Sequence, residues 1–173
     1  MLGNAGASLS FTASGIGELR AHTRADLVVE AVGPIDAAVR AVPGVAVAST
    51  EASVPVTIGT GHGEDAESDT VEALVIDPAA YVAAHPGSAA IAKLRGRAVA
   101  GGPGGDVPAH GSVRVELPGT NLGTLPVVAS LPAAMSGGPD VLLPRDLVPA
   151  ALLATAPTRS LVTLAPGADA APV

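Results

Sequence analysis

The chain has 173 residues, 16 acidic against 9 basic, a formal charge of −7 and no cysteine. That length supports one ordinary core. The acidic balance excludes a nucleic-acid surface built on clustered Lys and Arg, and the lack of cysteine excludes disulfides, thiolate zinc sites and cysteine nucleophiles.

Residues 1–24 read as a lead-in, with Ser8, Ser10, Thr12 and Ser14 set among glycines and a short helix expected over 16–23. A βαβ-like unit follows. Ala25 to Val29 is an apolar, β-branched strand, and Gly33-Pro34 opens a helix with proline at its first position. Ile35, Ala38, Val39 and Val42 continue at helical spacing, Pro43-Gly44 stops the helix, and Val45-Ala46-Val47 begins a second strand. Val54, Val56 and Ile58 alternate with Pro55 and Thr57, so one face is buried and Pro55 belongs at an edge or a bulge. A polar loop, Gly59 to Asp69, leads to a strand at Val71 to Ile76 that can return antiparallel.

Asp77-Pro78 is an N-cap with proline at N1 for Ala79 to Ala84, which His85-Pro86-Gly87 ends, and Ser88 can cap a second short helix ending at Gly96. Gly101 to Gly111 reads as an irregular connector. Val113, Val115 and Leu117 alternate, Pro118 to Asn121 carries turn chemistry, and Leu122 to Leu131 can close a hairpin. Val141 to Leu143 is a short strand, Pro144 to Ala154 is helical with Pro149 splitting it, and Leu161 to Leu164 is a last strand. Pro166 to Val173 begins as a helix would and stops, so the sequence reads as a piece of a longer protein. No run approaches the roughly 20 apolar residues of a membrane helix, and the first residues lack the basic flank and apolar core of a signal peptide, so this stretch itself reads as soluble.

Several short segments, in this order, resemble the extracytoplasmic domain of FtsX-like and MacB-like ABC transporter permeases. Ala25 to Val29 is similar to the family's first strand after its first membrane helix, and Val39 to Val45 to its helix-to-strand junction. Val75-Ile76-Asp77-Pro78-Ala79, Leu94-Arg95-Gly96-Arg97, Gly111-Ser112-Val113 with Val127-Val128, Leu142-Leu143-Pro144, and Leu164 to Asp169 resemble its later junctions. Between Val99 and Gly111 the chain departs from the pattern, with Gly and Pro where a longer strand and helix are expected.

The resemblance implies an α+β fold of the MacB-like periplasmic type: a mixed or antiparallel sheet, short helices on one side, and a smaller β-rich lobe at about 97–131 within one domain, 25–173. It also implies a non-catalytic domain outside the cell membrane that couples membrane-helix motion to an external substrate or partner. The partners implied are a cytoplasmic ABC ATPase reached through transmembrane helices, the membrane itself, and an extracellular protein or peptide. Families of this type export lipoproteins, peptides or drugs, or regulate cell-wall hydrolases. The composition also fits a secreted or surface-anchored ligand-binding module without an ATPase.

No catalytic, cofactor-binding or metal residue is assigned. His62-Gly63-Glu64-Asp65 with Glu67 and Asp69 concentrates oxygen ligands, yet the spacing fits no EF-hand and reads as a solvated acidic loop. His22, His62, His85 and His110 are scattered, and His85 and His110 read as turn residues. No Gly-x-Ser-x-Gly elbow or Ser-x-x-Lys pair occurs, and Gly101 to Gly105 lacks the Lys-Ser/Thr ending of a phosphate loop. Tyr81 and Phe11 are the sole aromatics, Tyr81 reading as a partly buried core residue, so recognition has to use aliphatic patches and loop polar groups, with apolar loop tips in 59–69 and 101–111 as the places to look.

Overall fold

The computed structural model describes residues 23–61, 67–104, 107–133 and 138–168. Its strands are β1 (Leu27–Val32), β2 (Val45–Thr60), β3 (Glu67–Ile76), β4 (Val99–Gly101), β5 (Ser112–Leu117), β6 (Thr120–Ser130), β7 (Val141–Pro144) and β8 (Pro157–Leu164). The helices are short: α1 (Asp36–Arg40), α2 (Pro78–Ala84), α3 (Ala150–Leu153), and 3₁₀ turns at Ala89–Lys93 and Arg145–Leu147. The sheet-rich α+β expectation and the mixed sheet hold, since β3–β7 and β4–β6 are parallel and the other pairs antiparallel.

The architecture turns on β2. Its 16 residues are too long for one partner per edge. One edge pairs with β8 from Val45 to Ala52 and with β5 from Thr57 to Gly59, while the other pairs with β3 from Ala52 to Thr60. The second half of β2 is therefore flanked on both edges, and the strands close into a six-strand barrel in the order β2-β3-β7-β4-β6-β5. The first half carries β8 and then β1 as an open extension. Pro55, which has no N–H to donate, falls in the interval 53–56 between the β8 and β5 pairings, as its chemistry requires.

Alternation along the strands fills the barrel. Val54, Val56 and Ile58 of β2, Val113, Val115 and Leu117 of β5, Leu125 and Val127 of β6, and Val141 and Leu143 of β7 share one interior cluster. Each such side chain contributes about 1.5–3 kcal/mol when fully buried. The smaller lobe expected at 97–131 is therefore not a separate body. Its strands are staves of the barrel, and Val99, Val113 and Leu125 belong to the same core as Val54 and Leu143.

The helices also differ from the one-sided layout expected. Val39 of α1 packs on Ala48 and Val162, whereas Ala84 of α2 packs on Leu161. Consecutive strand residues point to opposite faces, so α1 and α2 cover opposite faces of the extension. Leu74, Ile76 and Leu142, alternating with the barrel's inward set, meet Tyr81, Ile91 and Leu94 on the outer side.

Local codes explain most boundaries. Asp77 Oδ1 accepts from the Ala80 N–H at 2.9 Å, with Pro78 opening α2. The β5–β6 turn is Pro118-Gly119, and Leu122 is an extra residue between the pairs Glu116–Asn121 and Val115–Gly123, where Asn121 Oδ1 accepts from the Gly123 N–H at 2.7 Å. Other boundaries shift. α1 begins at Asp36 rather than at Pro34, because Gly33 (φ +86°) turns β1 against the end of α3 and its N–H donates to the Ala156 carbonyl at 2.9 Å. Ser88 does not cap; its Oγ donates to the His85 carbonyl at 2.7 Å and secures the stop of α2, so the next turn is 3₁₀. Of the helix expected to begin over 166–173, only 166–168 are described and they form a turn; the helix expected over 16–23 lies outside the described residues apart from Thr23, which is not helical.

Candidate functional site

The buried polar and charged residues among those described are Thr23, Ser49, Thr50, Glu51, Ser88, Thr158 and Ser160, and they gather around the extension. Glu51 is the centre of this group. Its side chain is fully enclosed, and both carboxylate oxygens are engaged: Oε1 lies 2.5 Å from His85 Nε2, and Oε2 accepts from Arg159 Nε at 2.8 Å. A carboxylate oxygen accepts, so the imidazole tautomer that suits this contact is the one with its proton on Nε2.

Each partner is placed by a different element. Arg159 stands opposite Glu51 in the β2–β8 register and opposite Glu30 in the β1–β8 register, so one arginine crosses three strands between two acidic positions. His85 is the residue at which α2 stops, its N–H donating to the Tyr81 carbonyl at 2.9 Å. Tyr81, one helical turn earlier, stacks on the imidazole with ring centroids 4.1 Å apart. Burial first, and then the Glu51 charge, push the Tyr81 phenol up to about 12, while Arg159 works in the opposite direction.

This set holds elements together. Tyr81 keeps its proton at neutral pH, and both Glu51 oxygens are occupied. The hydroxyl pair formed by Thr50 donating to Ser160 at 3.1 Å lies on the other face of β2. What the arrangement does is clamp α2 to β2 and β8 with two charge-assisted hydrogen bonds on an enclosed carboxylate. Ser49, on the Glu51 face of β2, is buried with no hydrogen-bond partner for its hydroxyl.

Two open grooves flank β2. One, of about 390 Å³, is lined by Arg40, Val45 to Ala48 and Ala80. The other, of about 200 Å³, lies at the unpaired interval, between Pro55 to Thr57, Thr70 and Glu116 to Gly119. Neither contains Glu51.

The residues singled out in the sequence are not brought together. His22 and His62 to Asp65 lie outside the described residues, as does Phe11. Glu67 and Asp69, expected in a loop, are exposed ends of β3 paired with Thr60 and Ile58. His110 is exposed in the turn before β5. Among the described residues no group of three His, Asp or Glu side chains is disposed to hold a metal ion. The glycines at 101–104 are not a loose connector: the Gly102 N–H donates to the Asp140 carbonyl at 2.8 Å, and a Cβ there would lie 2.0 Å from the Pro139 oxygen. Only glycine lets β4 approach the start of β7 so closely.

Glu51 and Arg159 escaped the sequence reading. The one signal was a lone carboxylate between the apolar positions Ala48 and Val54, and an arginine just before the last apolar run.

No protein-family model matches the sequence, and no curated protein matches it significantly. The fold superposes on a crystallised domain of a protein described as a permease, from Porphyromonas gingivalis. The TM-score is 0.49, the sequence identity 18%, and the coverage 80% of this chain and 70% of that one.

Proposed function

We propose that this chain is the extracytoplasmic, non-catalytic domain of an FtsX-like or MacB-like ABC transporter permease, carried between two transmembrane helices. One observation, added to the ordered sequence resemblance, carries the reading. The two ends of the described fold, where the chain crosses into and out of the first and last strands, lie at one place. The Asp26 N–H donates to the Val162 carbonyl at 2.8 Å, the Leu164 N–H to Asp26 Oδ2 at 2.9 Å, and Thr163 Oγ1 to the Arg24 carbonyl at 2.9 Å. Antiparallel neighbours β1 and β8 thus place the two crossings about one strand spacing apart, ~4.8 Å. Adjacent first and last strands suit insertion of such a domain between consecutive helices.

In this reading the cytoplasmic ATPase acts on the domain through the membrane helices. β1 and β8 receive the motion, and the Glu51 clamp passes it to α2 and, along β2, to the barrel. An extracellular protein or peptide is the partner, and nucleic acid is not. The test is the complete parent gene with its neighbours. Apolar spans of about 20 residues on both sides of this segment and an adjacent ATPase gene are the expected result. A signal peptide with no flanking span would sink the permease reading and leave a secreted ligand-binding module.

A further inference from the structure

From Ala41 to Ala48 the sequence holds no polar side chain, and Ala41, Val42, Pro43, Ala46 and Val47 are all exposed. Val42 and Val47 are 54% and 37% exposed; the other large exposed hydrophobic among the described residues is Val32, at 74%. Scattered exposed apolar residues are ordinary, but a contiguous run of them marks a contact surface. This run also borders the larger groove, whose one charged lining residue is Arg40.

The position of the run says what it meets. The Ala165 N–H donates to the Gly44 carbonyl at 2.8 Å, Val45 pairs with Leu164, and a Cβ on Gly44 would lie 3.1 Å from the Ala168 Cβ. The apolar run therefore lies beside the two chain crossings. Arg24 and Arg40 are exposed at the same pole, in a protein of net charge −7. Val32 is at the far end of β1, paired with Pro157.

We infer that the Ala41–Val47 pole rests on the surface of a phospholipid bilayer, with Val42 and Val47 entering the headgroup boundary and Arg24 and Arg40 meeting lipid phosphates. Apolar side chains rimmed by arginines suit that interface, since the hydrocarbon takes the first and the phosphate layer the second. The inference rests on the permease reading, to which it adds the side of the domain that faces the membrane.

Because the chain has no cysteine, a single Val42→Cys, Val47→Cys or Val32→Cys substitution in the full 173-residue chain accepts one environment-sensitive dye at a known position. With phosphatidylethanolamine–phosphatidylglycerol vesicles, dye at 42 and 47 is expected to shift to the blue and brighten while dye at 32 does not. The Val42→Asp/Val47→Asp double variant is expected to lose flotation with vesicles and keep its thermal melt. Equal responses at 42, 47 and 32, or a response that follows protein concentration without vesicles and so reports a second copy, overturns the inference. Flanking spans in the gene without vesicle contact would overturn this inference alone. Vesicle contact without flanking spans would overturn the permease reading alone.

Discussion

The barrel and the extension share β2 yet bury opposite kinds of side chain. From Val54 onward the strand sends valine and isoleucine into an aliphatic interior; from Ser49 to Glu51 it buries a serine, a threonine and a carboxylate. The barrel has an enclosed interior, so apolar burial alone can hold it. The extension is a two-faced sheet with one short helix on each side, and aliphatic area there is smaller. Its helix α2 packs Tyr81 and Ala84 on the sheet and is also fastened by a directed bond from His85 to Glu51, which Arg159 holds in turn. Closed surfaces can rely on non-directional burial, whereas an open flap gains a defined position from a few oriented charges.

The largest effect is expected in the barrel. Leu143→Ala removes a fully buried side chain from the interior cluster that also holds Val54 and Leu125 and should cost about 2–5 kcal/mol in denaturant unfolding. A loss below that range would mean the interior is looser than its alternation implies.

Next is the clamp. Arg159→Leu leaves the enclosed Glu51 carboxylate with His85 alone; because Arg159 is itself half exposed and screened by solvent, the cost should fall below that of a fully buried pair, to about 2–4 kcal/mol, while Glu51→Leu with Arg159→Leu should cost less than that single change. Equal losses in the two variants would show that the enclosed Glu51 carboxylate does not depend on Arg159.

The third concerns Tyr81. Its native phenol is raised from about 10 to about 12, so the unfolded chain releases its proton first as pH rises. Between those values the native state binds more protons, and stability falls with increasing pH; the contribution is whole below about pH 10 and gone above about pH 12. The loss is about 2–3 kcal/mol at its limit. Tyr81 is the one tyrosine in the chain, so phenolate absorbance reports it directly, and Tyr81→Phe should flatten that part of the profile. A native midpoint near 10 would contradict the burial on which the clamp depends.

The smallest effect belongs to Thr50→Val. It removes the hydroxyl that donates to Ser160 and should cost about 1 kcal/mol, because Ser160 Oγ is left enclosed. No change in the unfolding midpoint would show that this face of the extension tolerates a purely apolar contact.

Legibility followed the range of the interaction. Asp77-Pro78 at the start of α2, Pro43-Gly44 after α1, the Pro118-Gly119 hairpin and the split at Pro149 depend on φ restriction, missing donors or a side chain reaching three residues along. Each was therefore readable in order along the chain. The clamp was not readable, because Arg159 and Glu51 are 108 positions apart and neither sits in a pattern that chemistry demands. The short β4 was hidden among glycines whose reason is the close approach of Pro139 and Asp140.

Taken by itself, the sequence determined the sheet-rich class, the main turn and helix-stop signals and the inward-facing residues Val54, Val56 and Ile58 of β2 and Val113, Val115 and Leu117 of β5, since backbone stereochemistry and period-two alternation act locally. Tertiary structure alone decided that those strands close into one barrel rather than two lobes. It also decided that α1 and α2 take opposite faces of the extension, and that Glu51 becomes an enclosed, doubly paired carboxylate. These outcomes depend on which edges pair, and pairing is set by the burial gained over the whole sheet, which no window of the chain contains.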